Sequence, residues 1–250
     1  MIYVASYGET RGGWAHGNQG NDEIVGGDGD DIIYGGQGDD FIGGKDGDDV
    51  LRGDRGNDEI ITGAGDDFAM GGEGADTITN MDGSDALLGG EGDDMLVAYG
   101  FGHSLLDGGA GNDTLVAASN DQLLLYGGEG RDRFEFAAKF GPTEGADHVI
   151  ADWDVSDTIS FAQVSIYTIL PRGYSEFVAD GYAQAHAIAD EHIQHTGAQY
   201  AVAQVGDDLI VFADTDGDAT NGADIAVLLI GRTLADISLQ NFLGDDFYIA

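Results

Sequence analysis

Residues 17–97 read GNQGNDEIV GGDGDDIIY GGQGDDFIG GKDGDDVLR GDRGNDEII TGAGDDFAM GGEGADTIT NMDGSDALL GGEGDDMLV, nine consecutive blocks of nine residues. Two further blocks, GGAGNDTLV from Gly108 and GGEGRDRFE from Gly127, each follow a ten-residue spacer. In all eleven blocks place four is glycine and place six is aspartate. Place eight is Ile, Leu or Phe in every block but one, where it is Ala69. One inward aliphatic side chain, flanked by residues of mixed character, fits a three-residue strand.

Six residues of glycine-rich turn alternating with about three of strand predict a flattened parallel coil that returns to the same sheet every eighteen residues, roughly one strand spacing along its axis. The expected fold class is therefore all-β: a parallel beta-roll, or solenoid, of glycine-rich nonapeptide repeats, capped by a C-terminal module of strands and one helix. The expected divisions are an N-terminal cap at 1–16, the roll at 17–135 and a terminal capping and secretion module at 136–250.

Composition narrows the chemistry. The 250 residues carry 47 Asp and Glu against 9 Lys and Arg, a formal net charge of -38. A chain this acidic has few cations with which to displace the counterions of a phosphate backbone, and it is repelled by anionic lipid, so nucleic acid is not an expected partner. No stretch reaches the length of about 18 apolar residues that a helical membrane span needs. The start, MIYVASYGETRGGWAHG, lacks a basic segment followed by a long apolar run, so no amino-terminal signal peptide is expected. With no cysteine, disulfides and thiolate metal sites are absent.

Unpaired carboxylates repel one another, so the excess calls either for disorder or for a counter-cation. A disordered Gly/Asp tract explains the composition but not the aliphatic residue at place eight. A metal-free solenoid explains the period but stacks its aspartates edge to edge. Stacked turns that direct carbonyl and aspartate oxygens into a shared gap answer both objections. Hard oxygen ligands suit calcium, which accepts about six to eight of them with relaxed geometry.

The candidate ligands are the place-six residues Asp22, Asp31, Asp40, Asp49, Asp58, Asp67, Asp76, Asp85, Asp94, Asp113 and Asp132. The blocks resemble the GGxGxDxUx pattern of the repeats-in-toxin (RTX) family. The resemblance implies a parallel beta-roll with Ca2+ between successive turns, bound by the place-six aspartates and turn carbonyls. Turn pairs two blocks apart predict about seven to ten ions.

The spacer AYGFGHSLLD at 98–107 puts Phe101 at the glycine place and His103 at the aspartate place, so that turn should lose its ion. The second spacer, AASNDQLLLY at 117–126, should fall on the same edge one rung later. Tyr99, Phe101 and Tyr126 would then form an edge patch, which is open to three readings: a ligand or partner surface, a tolerated insertion, or a packing site for the terminal segment.

Beyond residue 135 the period fades. ADHVIADWDVSDTISF at 146–161 resembles the strand pair that closes the roll in secreted family members. Residues 174–197 show apolar side chains near helical intervals at Phe177, Tyr182, Ala185 and Ile188, predicting one helix that carries His186, His192 and His195. His192 and His195 share a helical face, but the pair lacks the HExxH arrangement, so incidental surface histidines and a metal or catalytic role both stand as readings. QYAVAQVGDDLIVFADTDGDATNGADIAVLLIG predicts two strands around an acidic loop, where Asp214, Asp216 and Asp218 read either as an isolated calcium loop or as a solvated turn. Residues 232–250 resemble loosely the uncleaved C-terminal export signal of the family.

The functional expectation is a calcium-binding protein or module, secreted from a Gram-negative bacterium by type I secretion machinery, whose roll folds when it meets calcium outside the cell. No catalytic residues are nominated. One alternative is an extracellular adhesin or matrix protein with a glycan, surface or self-association partner. Another is a secreted enzyme with a site near 98–126 or His186–His195.

Overall fold

The computed structural model describes residues 2–3, 12–119, 121–136, 148–161, 174–196, 200–214, 223–238 and 240–243. Two compact units divide the chain, Met1–Arg133 and Phe134–Ala250.

The first unit is a parallel beta-solenoid. Strands Glu23–Val25, Phe41–Asp46, Glu59–Ala64, Thr77–Asn80, Met95–Ala98 and Thr114–Ala117 follow one another across one sheet, with Ile2–Tyr3 paired to the first of them. Trp14–Gln19, Ile32–Gln37, Val50–Arg55, Phe68–Glu73, Ala86–Glu91, Leu105–Ala110 and Leu124–Glu129 follow one another across the second. Within the nine-residue run, partners lie two blocks apart, as in Ile33 with Leu51 and Ile42 with Ile60.

Place eight fills the interior. Ile24, Ile42, Ile60, Ile78, Leu96 and Leu115 from one sheet, and Ile33, Leu51, Ala69, Leu87, Leu106 and Leu125 from the other, are all fully buried. Each large aliphatic side chain so placed contributes on the order of 1.5–3 kcal/mol by leaving water.

The strands are longer and the turns shorter than the pattern suggested. Most strands run six residues and include the first three places of the next block, because those backbones also pair across rungs, as Gly36 does with Asp54 and Gln37 with Arg55. The turn contracts to places four to six. Its glycine has positive φ, 126° at Gly47, where a Cβ would lie 2.6 Å from the carbonyl carbon of Gly29 on the rung before. Only glycine meets both conditions without strain.

The spacers keep the coil but shift its register by one residue. Gly102, not Phe101, takes the turn-glycine place, with φ 132° and its backbone against Gly83. Ser104, not His103, takes the aspartate place, since Leu105 pairs with Ala86. Both spacers do lie on one edge, where Gly102 N–H donates to Asp121 at 2.8 Å. Tyr99 and Phe101 are exposed there, whereas Tyr126 sits in the second sheet beside Asp107 and is no part of an edge patch.

In the second unit, His148–Ile150 pairs with Ile225–Leu229 and not with Thr158–Phe161, so the expected strand pair at 146–161 is two strands with other partners. Residues 174–197 begin as the strand Tyr174–Ala179 before the helix Tyr182–Thr196. That strand and Tyr200–Val205 are parallel, so the helix is their crossover. Its buried stripe is Ala185, Ala189 and Ile193, four residues apart, packed with Ala201, Ala203 and Phe212, while Ile188 is only half-buried. The acidic-loop segment contains three strands, since Tyr200–Val205 and Asp208–Ala213 form a tight hairpin before Ile225–Leu229. A second helix of one turn spans Gln240–Leu243. Trp153, fully buried, donates Nε1–H to the Asp236 carbonyl at 3.2 Å, and its ring lies 6.1 Å from that of Phe134. Asp216 and Asp218, and the last seven residues, lie outside the described residues.

Candidate metal centre

Alternate turns fall on opposite edges of the solenoid. One edge, here the first, carries Asp22, Asp40, Asp58, Asp76, Asp94, Asp113 and Asp132. The second carries Asp31, Asp49, Asp67 and Asp85. The two sheets thus gather the sequence-nominated residues into two rows rather than one cluster.

From Asp31 onward each carboxylate is held by the backbone of the rung before it. On the first edge Asp22 N–H donates to Asp40 Oδ1, Asp40 to Asp58, Asp58 to Asp76 and Asp76 to Asp94, each at 2.7 Å; Asp94 to Asp113 and Asp113 to Asp132 follow at 2.8 and 2.9 Å. Asp31, Asp49 and Asp67 donate in the same way to the next aspartate on the second edge. One oxygen is therefore fixed, and the direction of the other is fixed with it.

In seven of these residues the second oxygen has nothing to bond, whereas Asp31 Oδ2 accepts the Gly27 N–H at 2.6 Å. Oδ2 of Asp40, Asp58, Asp76, Asp94 and Asp113 on the first edge, and of Asp49 and Asp67 on the second, is buried with no hydrogen-bond partner. Around it the first residue of the block is usually glycine, and the space a side chain would occupy is where the oxygen points. A Cβ on Gly71 would collide with Asp76 Oδ2 and lie 2.7 Å from the carbonyl oxygen of Gly89; a Cβ on Gly35 would collide with Asp40 Oδ2 and lie 2.8 Å from that of Gly53. Carboxylate and carbonyl oxygens thus converge on a small volume beside Gly35 and Gly71, where the Oδ2 atoms of Asp40 and Asp76 meet no donor.

Such an arrangement is costly without a cation. Burial pushes Asp49, Asp58 and Asp94 up to about 7 and Asp67 and Asp113 up to about 6, against the N–H bonds that hold them down and with neighbouring aspartates adding to the rise. Burial raises Asp40, Asp76 and Asp85 in the same direction. An oxygen-rich gap with partly protonated carboxylates is a site prepared for a hard cation. Among the described residues no three His, Asp or Glu side chains converge on one point.

A family model, the RTX calcium-binding nonapeptide repeat in four copies, matches residues 7–42, 16–49, 43–78, 70–96 and 79–121. These are RTX calcium-binding repeats. No curated protein matches the chain. Among solved structures it is similar to the extracellular lipase LipA from Serratia marcescens, with 19% identity over 92% of this chain and 42% of that one, and a TM-score of 0.28. The chain thus spans less than half the length of that lipase, and a likeness this low does not bear on activity.

The RTX turns hold one feature that the reading of place six overlooked. Place five stitches the rungs in the opposite sense: Asp39 N–H donates to Asn21, Asn57 to Asp39, and Ala75 to Asn57, at 2.9–3.1 Å. Asp48, Asp66 and Ser84 do the same on the second edge. The signal was present, since place five is Asn or Asp in most blocks.

His103, His186, His192 and His195 each have a polar contact of their own. His103 is exposed, its Nδ1 3.2 Å from the Gln122 carbonyl. His192 Nδ1 lies 3.0 Å from Ser175 Oγ, His195 Nδ1 lies 2.9 Å from the Glu191 carbonyl, and His186 pairs with Asp190 at 3.1 Å. The structure thus brings His192 and His195 to separate partners rather than to a common point. No described helix is long and apolar enough to cross a membrane.

Proposed function

We propose that this chain is a secreted calcium-binding protein or module whose roll is completed by calcium outside the cell, after type I export from a Gram-negative bacterium. The observation that carries the reading is the set of seven buried, donorless Asp Oδ2 atoms, five of them consecutive along one edge. Calcium, when bound, supplies positive charge and oxygen coordination to gaps that have neither a donor nor a counterion.

The chain's own residues do the rest. Place-six aspartates are aimed by the preceding rung's N–H groups, so the ligand set exists only where turns are stacked, and binding free energy becomes folding free energy. Without the cation the same carboxylates repel and the glycines favour an open chain, a form suited to a narrow export channel. In this reading the carboxylates have a structural task and the chain carries out no turnover. The test is selectivity: the decalcified chain dialysed against calcium should retain about seven ions or more, while equimolar magnesium, which demands tighter geometry and keeps its waters, should be held far more weakly. Equal retention of the two ions would remove the reading.

A second reading, a calcium-ordered surface or matrix protein that self-associates, draws on the outer face of the second sheet. Trp14, Ile32, Val50, Phe68, Ala86, Leu105 and Leu124 lie in register there as an apolar row, with Trp14 65% and Ile32 41% exposed. A second copy offers a matching row. Sedimentation in calcium should show concentration-dependent association that Trp14→Ser with Ile32→Thr abolishes; a monomer at all concentrations would exclude it.

A further inference from the structure

The second edge departs from the first at Asp85. The first residue of its block is Asn80, where the other blocks have glycine or, once, Thr62, and the Asn80 side-chain amide donates to Asp85 Oδ2 and, at 3.3 Å, to Ser104 Oγ. Its orientation is fixed from the other end, because Asn80 Oδ1 accepts the Tyr99 N–H at 2.8 Å. The nitrogen therefore faces the carboxylate, as a donor and not as a metal ligand. Across the gap, Ser104 occupies the aspartate place and its Oγ accepts the Asp85 N–H at 3.0 Å, the bond that a carboxylate accepts in the other gaps. Asn80 and Ser104 are both buried.

The geometry points to a gap closed without metal. On the first edge the corresponding gap, between Asp76 and Asp94, has an orphaned Asp76 oxygen, two carboxylates and an open glycine cradle at Gly71. Between Asp85 and Ser104 there is one carboxylate, a hydroxyl in place of the second, and an amide N–H2 where the cradle would be open. We infer that the Asn80 amide takes the role of the cation in this gap, so that the two edges bind calcium unequally: the first along its length, the second only ahead of Asp85. This inference rests on the calcium reading above.

The chemistry supports a metal-independent stretch and not a single substitution. After Asp85 the second edge is bonded largely by hydroxyl and backbone groups, Ser104 Oγ to the Gly83 carbonyl at 3.3 Å, Ser119 Oγ to the Gly100 carbonyl at 3.1 Å and the Asp121 N–H to Ser119 Oγ at 3.1 Å, while the Asp121 carboxylate accepts the Gly102 N–H at 2.8 Å. Every one of these bonds is available at any calcium concentration. The irregular turns thus mark where hydrogen bonds replace ions.

The experiment is an anomalous difference map of the calcium-loaded chain, read gap by gap. Peaks are expected beside Asp40, Asp58, Asp76, Asp94 and Asp113 and none between Asp85 and Ser104; a peak in that gap would overturn the inference. A map with no peak in any gap would remove the calcium reading itself, and this inference with it. Native mass spectrometry supplies the converse. Asn80→Gly with Ser104→Asp reopens the cradle and restores the second carboxylate, and should hold one calcium more than the parent chain. Gly71→Asn places the amide in an open cradle and should hold one fewer. Counts identical to the parent in both variants would refute the assignment even where the map is silent.

Discussion

The Asp76 N–H donates to Asp94 Oδ1 at 2.7 Å, and the other oxygen of Asp94 is buried with no donor in reach. The first fact aims the second. A single backbone bond from one rung turns the next rung's carboxylate into a directed, unsatisfied ligand, and the solenoid repeats that step along its edge.

Asp94→Asn should therefore separate the two tasks. Asparagine keeps an oxygen for the Asp76 N–H and turns an amide toward the gap, as Asn80 does beside Asp85. We expect the loss of one bound calcium and a shift of the calcium midpoint to higher concentration, while the calcium-free fold gains on the order of 1–3 kcal/mol by losing a buried unpaired charge. Calorimetric ion counts and chelator-side thermal melts measure the two effects separately.

Proton dependence follows from the direction of the carboxylate shifts. In the calcium-free fold Asp49, Asp58 and Asp94 are raised to about 7, and Asp67 and Asp113 to about 6, from an ordinary value of 3.8. The folded chain then binds more protons than the unfolded one between about pH 4 and 7, and its stability falls as pH rises through that window. With chelator present, far-ultraviolet circular dichroism should show more strand at pH 5 than at pH 8. With calcium the order reverses, because binding requires the ionised carboxylates that pH 5 partly removes.

Gly47→Ala tests the turn backbone. Its φ of 126° and the 2.6 Å approach of a Cβ to the Gly29 carbonyl carbon require two rungs to part. A loss of more than about 1 kcal/mol is expected, read as a higher calcium midpoint, since the residue lies outside any side-chain ligand set.

The aliphatic columns are tested by Leu87→Ala beside Ile32→Ala. Leu87 is fully buried, Ile32 is 41% exposed. The first should cost about 2–5 kcal/mol of stability in calcium and the second well under that, measured by denaturant unfolding.

Much of this was legible in the sequence because the repeat is strict. Glycine at place four, aspartate at place six and an aliphatic residue at place eight predicted the parallel coil, the two fully buried columns, one through Ile24 and Ile42 and the other through Leu51 and Leu87, and the alignment of Asp40 with Asp58 and Asp76 on one edge. What escaped was whatever depends on contacts between rungs. The strands are six residues long because places one to three pair with the next rung, which no single block reveals. The spacer at 98–107 was read one residue out of register, since Gly102 and Ser104 are recognisable as the turn pair only once Leu105 is seen against Ala86. The place-five ladder and the amide at Asn80 carry the same lesson, for a polar residue in a repeat acquires its meaning from the rung above or below it. In the second unit, the strand Tyr174–Ala179 was read as helix because its alanine-rich continuation dominated the pattern.

The central claim is that buried, donorless aspartate oxygens make the roll dependent on calcium. The most direct test is a calcium titration of the decalcified chain at pH 7.5, followed together by far-ultraviolet circular dichroism and calorimetry. The account predicts a cooperative gain of strand signal that saturates with about seven or more ions per chain, matching the seven orphaned oxygens. An unchanged spectrum with no heat of binding would contradict it.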